Sequence, residues 1–123
     1  MTAAETGDLE FTEHRHDPFE THPPTPLPPK ATLDAAGEIL RALAAPVRIA
    51  IVLQLRESQR CVHELVDALD VPQPLVSQHL RILKSAGVVA GERSGREVMY
   101  RLVDHHLAEI VVAAVTHAAE DPQ

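Results

Sequence analysis

From Ala31 onward apolar residues recur at helical spacing, at Leu33, Ala36, Ile39, Leu40 and Leu43. Pro46 restarts the chain at a first-turn position, which proline tolerates, and Ile49, Val52, Leu53 and Leu55 continue a second helix. A short third helix over about 62–69 carries Leu65, Val66 and Leu69, and Asp70-Val71-Pro72 breaks it. A fourth helix runs from about Gln73 to Ala86, with Val76, Leu80 and Leu83 as its buried stripe and Gly87 just past its end. Residues 88–92 and 97–102 are strand-like, joined by Arg93-Ser94-Gly95-Arg96, a hairpin turn with glycine where positive φ is needed. Residues 107–119, alanine-rich and free of Gly and Pro, read as a last helix. The pattern predicts a mainly α fold with a small β-hairpin, a winged helix-turn-helix whose central unit is the third and fourth helices.

Residues 1–30 contrast with this. Six of the ten prolines fall between Pro18 and Pro29, which excludes helix and central strand and favours an extended linker. The reading is therefore a disordered tail over 1–30, containing His14, His16 and His22, and one folded domain over 31–123. The only aromatics are Phe11, Phe19 and Tyr100, so the core is built of Leu, Val, Ile and Ala. For a folded part of this size burial at a dimer interface would help. No apolar run is long enough to span a membrane, and the polar, acidic N-terminus does not resemble a signal peptide. The single cysteine, Cys61, excludes an internal disulfide framework and fits a reducing cytoplasm.

The net charge of −7 argues against a nucleic-acid partner until it is divided along the chain. Residues 1–31 and 104–123 each carry a balance of −4, and 73–101 carries +3 from Arg81, Lys84, Arg93, Arg96 and Arg101 against Glu92 and Glu97. A phosphate backbone responds to local charge at short range. In the fourth helix Gln73, Ser77, Arg81 and Lys84 line a face away from the apolar stripe, with Gln78 beside them. Gln and Arg hydrogen-bond base edges in the major groove, and Ser bonds bases or phosphate. Arg93 and Arg96 at the hairpin tip are placed to touch backbone or minor groove. A solvated amphipathic helix would show the same polar face; the adjoining basic hairpin favours DNA.

The C-terminal end carries a second pattern: Asp104-x-His106, ten residues, then His117-x-x-Glu120. Carboxylate and imidazole are ligands that zinc accepts in a four-coordinate site. On a helix His106 and His117 lie about 16.5 Å apart yet point within about 20° of each other, so they share a face without sharing an ion. His105 points about 120° away from His117. Half a site at each end of one helix suits an antiparallel copy of that helix, giving two intersubunit sites across a twofold axis. Between the histidines lie Ile110, Ala113 and Ala114, small enough on balance for close approach.

The segments LAAPVRIAIVLQL, LVSQHLRILKSAGVV and RSGREVMYRL resemble the ArsR/SmtB family of metal-responsive winged-helix repressors, over roughly residues 39–120. The Asp104, His106, His117, Glu120 set is similar to that of the family's zinc-sensing, SmtB-like branch. The resemblance implies a homodimer, joined through its terminal helices, that binds an inverted-repeat operator when metal-free and releases it when Zn(II) binds. It also implies base reading by Gln73, Ser77, Gln78 and His79. Where many members have a Cys-Val-Cys box this chain reads Cys61-Val62-His63-Glu64, which argues against a thiolate site. A second metal site from Cys61, Glu64 and His14 or His16 is the remaining option. Pro74 stands where a Ser is usual. Ni(II) and Co(II) accept the same ligands, nickel with more of them. Two rivals stand beside the zinc repressor. A zinc hydrolase would need an open coordination position and a general base, and there is no HExxH, so no enzyme and no catalytic residue is expected. A thiol-redox repressor using Cys61 would need an intersubunit disulfide.

Overall fold

The computed structural model describes residues 19–120. Its elements follow in the order α1 (Lys30–Leu43), α2 (Pro46–Glu57), α3 (Val62–Leu69), α4 (Gln73–Ser85), β1 (Val89–Ser94), β2 (Glu97–Leu102) and α5 (His105–Glu120). The expected order of elements is met. Residues 20–29, within the proline-rich stretch, hold no helix or strand and are exposed. No helix of the described residues is long and apolar enough to cross a membrane.

Local chemistry explains the boundaries. Pro46 opens α2 at its first turn, where a missing N–H costs nothing. At α3, Cys61 precedes the helix and its N–H donates to Glu64 Oε1 at 2.9 Å, satisfying a donor at the helix start. Asp70 ends α3 in the left-handed region at φ 56°, a conformation Asp tolerates better than most residues, and so turns the chain into α4. At the far end of α4, Gly87 N donates to Lys84 O and Val88 N to Leu83 O, with Gly87 at φ 77°. That pair of bonds is a Schellman closure, and it needs a residue free to adopt positive φ.

The hairpin differs from expectation by two residues. β1 runs on through Arg93 and Ser94, paired with Val98 and Glu97, so the turn shrinks to Gly95 and Arg96. Gly95 alone takes positive φ there, at 67°, and a two-residue turn of that kind matches the twist of the flanking strands. Arg93 therefore belongs to a strand and not to the tip. A bridge between Arg60 and Tyr100 fastens the segment before α3 to β2.

The core holds Ile51, Val52 and Leu55 of α2, Leu65 of α3, Val76, Leu80 and Leu83 of α4, Val88 and Val89, and Leu107 and Val111 of α5. The stripe expected on α4 is buried as read. On α2 the fully buried Ile51 was not among the residues expected to face inward. α5 packs on α2 and β2, while α3 and α4 pack on one another and on α2.

Candidate DNA interface and metal half-sites

The helix-turn-helix sets α4 with one side buried and the rest facing out. Gln73, Gln78 and Arg81 are exposed and Ser77 is half-buried. Ser77, Arg81 and Lys84 line a shallow cleft of about 200 Å³ with Tyr100 of β2, so one flank of α4 adjoins the wing. Arg96 is exposed in the hairpin turn and Arg93 is exposed on β1. Pro74 sits in the first turn of α4 and leaves the helix intact.

His79 occupies the other flank. Its half-buried ring accepts a hydrogen bond at Nδ1 from Arg48 Nη1 of α2, at 3.1 Å, while Arg48 Nε donates to Ala42 O at the end of α1 at 2.6 Å. A guanidinium only donates, so Nδ1 must be the unprotonated nitrogen and the proton sits on Nε2. Burial, and then the Arg48 charge, hold the His79 imidazole below its ordinary pKa. The Nδ1 edge of the ring is thus engaged within the fold, while Nε2–H has no hydrogen-bond partner among the described residues. Arg48 was not singled out from sequence: its contact lies 31 residues away, and its own segment carries no basic cluster.

At the C-terminal helix, Asp104 immediately precedes α5, and its Oδ1 accepts from His106 N at 3.0 Å. This is an N-cap contact, and it brings the carboxylate within 3.3 Å of His106 Nδ1. Asp104 and His106 thus converge at the start of α5. His117 and Glu120 follow on the last turn, both exposed. On a helical projection His106, Ile110, Ala113, His117 and Glu120 fall within an arc of about 80°, roughly opposite the buried Leu107, Ala108 and Val111. The face carrying His106, His117 and Glu120 is the one α5 turns away from its own core. Among the described residues of one chain, no three His, Cys, Asp or Glu come together to hold an ion. The His105 ring lies against that of His106, centroids 4.6 Å apart, with its Nε2 3.8 Å from Glu109.

The residues of the second candidate site are placed in part. Cys61 is buried at the start of α3 and Glu64 is engaged by the Cys61 N–H. His14 and His16 lie outside the described residues. Both placed residues thus have a role in ending the loop and starting α3.

A helix-turn-helix followed by a two-stranded wing, with polar and basic side chains outward on its fourth helix, defines a winged helix-turn-helix DNA-binding regulator. A family model described as bacterial regulatory protein, arsR family, matches residues 45–90. The chain is 72% identical over 120 residues to the HTH-type transcriptional repressor SmtB of Mycobacterium tuberculosis, covering 95% of this chain and 89% of that one. It is 38% identical over 96 residues to the HTH-type transcriptional regulator NmtR of the same organism, covering 78% and 79%. Among solved structures, apo-NmtR superposes with a TM-score of 0.61 at 36% identity, covering 84% of this chain and 86% of that one. The homodimeric winged helix-turn-helix domain of a possible ArsR-family regulator from Mycobacterium bovis does so with 0.67 at 28%, covering 76% and 86%. The chain belongs to the ArsR/SmtB family of bacterial transcriptional repressors.

Proposed function

We propose that this chain is a metal-responsive repressor that acts in the cytoplasm as a homodimer, holds operator DNA when metal-free, and releases it when Zn(II) binds two intersubunit sites. The observation that carries the reading is the outward face of α5, with Asp104 and His106 at one end and His117 and Glu120 at the other. Exposed apolar residues support the dimer: Ile110 on that face is 41% exposed, and Leu33 and Leu40, one heptad apart on α1, are 46% and 53% exposed. Apolar groups of that size on two terminal helices favour burial against a second copy.

The donor set fits zinc: two imidazoles and two carboxylates, all exposed. Asp104 and His106 of one subunit would meet His117 and Glu120 of the other. When bound, the ion supplies a crosslink between the two α5 helices. Ni(II) and Co(II) accept the same donors and are alternative effectors. On the DNA side Gln73, Gln78 and Ser77 would face bases, while Arg81, Arg93 and Arg96 would face backbone.

Titration of the apo-protein on operator DNA with zinc, nickel and cobalt tests the whole reading. His106→Gln and His117→Gln should each abolish metal-induced release while leaving apo operator affinity within about twofold, because both side chains are exposed on a helix that packs on α2 and β2. Release of either variant by zinc at wild-type concentrations would refute the ligand assignment.

A further inference from the structure

An open cleft of about 640 Å³ lies on the side of α4 away from the wing, where the ends of α1 and α4 meet the first turn of α2. Arg41, Arg48 and Arg81 line it with Ser85, and Glu38 is its one carboxylate. Glu38 is taken up by Arg41, 2.9 Å away. The cleft as a whole therefore keeps an excess of two positive charges, three arginines against one glutamate.

Arg48 is the unusual member. It is half-buried, and its two partners, the Ala42 carbonyl and the His79 ring, are both neutral. Among the described residues it has no carboxylate within ion-pair distance, and neither has Arg81. The carbonyl end of α1 offsets only part of a full charge. A partly desolvated cation held by neutral acceptors keeps a strong outward field. Its guanidinium is also fixed by two bonds, so little freedom remains to be lost when an anion arrives. The ring of His79 contributes by staying neutral and holding Arg48 in place. Arg81 lines both this cleft and the one beside the wing, so the site is continuous with the outward face of the recognition helix.

We propose that this cleft seats a phosphate of the DNA backbone beside the base-reading turn of α4, with Arg48, Arg81 and Ser85 Oγ donating to its oxygens. The planar guanidinium fork suits phosphate oxygens, and a backbone contact carries no base sequence. The inference rests on the DNA-binding reading and extends the interface to α2, beyond the basic segment of residues 73–101.

The test measures affinity for operator and for an unrelated duplex of equal length across a salt series, using apo wild type, Arg48→Gln and Ser85→Glu. Ser85 is exposed at the end of α4, so its variant alters the cleft without touching the core. Each variant should weaken both duplexes alike, by roughly tenfold, and Arg48→Gln should lower the salt slope by about one. Unchanged affinity and slope in both variants would overturn the proposal. A loss confined to the operator with an unchanged slope would overturn it too, because Arg48 would then act only by placing α4. So would protection of wild type, but not Arg48→Gln, by inorganic phosphate with duplex binding unaltered, which would mark a small-anion site. A wild type that prefers neither duplex yet still shows the charge-dependent loss would overturn the repressor reading while sustaining the cleft.

Discussion

His79 shows how tertiary surroundings give a side chain a contact that its place in the chain does not reveal. In the chain it sits within SQHLRI, beside the proposed base readers Ser77 and Gln78, and its spacing there is compatible with the same task. In the fold its Nδ1 is committed to Arg48, and burial with the neighbouring charge lowers its pKa. In the unfolded chain the imidazole titrates near 6.5. Between that value and the lower folded one the unfolded state binds more protons, so stability present above about pH 6.5 is lost as pH falls through the folded pKa. His79→Asn retains an acceptor close to Nδ1 and cannot take up that proton. Thermal melts from neutral to mildly acidic pH should show a shallower fall for the variant than for wild type. Superimposable pH profiles would show that His79 does not titrate in this way. Asp104 is the opposite case: its cap on α5 and its approach to His106 depend only on residues two apart in sequence.

Among the elements, α4 and the wing illustrate different degrees of legibility. The stripe of Val76, Leu80 and Leu83 follows from helical period alone, and Gly87 closes the helix where a residue with positive φ is required. The hairpin is legible in the chain, but its turn is two residues shorter than the pattern predicts, since strand pairing continues through Ser94 and Glu97. Gly91 carries a constraint that pairing alone does not reveal. A Cβ there would lie 2.9 Å from Val98 Cγ1 and 3.0 Å from Tyr100 Cε1. Tyr100 is directly opposite Gly91 and also bridges to Arg60, so it has little room to move aside. Gly91→Ala should therefore destabilise the fold by about 1–3 kcal/mol through crowding, visible as a lower denaturation midpoint. Wild-type stability in that variant would mean that the wing shifts freely on the body. Glycine within a strand is itself a sign of close approach, and that sign was available in the chain.

For the whole molecule the question is how a ligand on α5 reaches a helix that reads DNA. α5 packs on α2 and β2, and the proposed ligand face points away from both, where we propose the second subunit packs. Metal binding there would act on the relation between subunits and not by covering α4. A shift from 99:1 to 1:99 between DNA-competent and incompetent dimers needs about 5.5 kcal/mol of differential metal affinity. Linkage is reciprocal, so operator DNA should weaken zinc binding by the factor by which zinc weakens operator binding. Zinc affinity measured with and without saturating operator checks this. Equal affinities would assign zinc a structural role and leave the regulatory signal elsewhere.

Helix periods, caps, the proline-rich break before residue 30 and the phasing of His106 with His117 were all determined by the chain, because each depends on residues a few turns apart along one element. The direction each face takes was decided by tertiary packing. Only the seating of α5 on α2 shows that His106, Ile110, His117 and Glu120 face outward, since an isolated helix has no inside. Only the meeting of α1, α2 and α4 brings Arg48 to His79 and gathers three arginines around one cleft. Contacts between residues so distant in sequence leave no period or spacing to read; they exist because burying the apolar stripes of three helices leaves one way for their polar edges to meet.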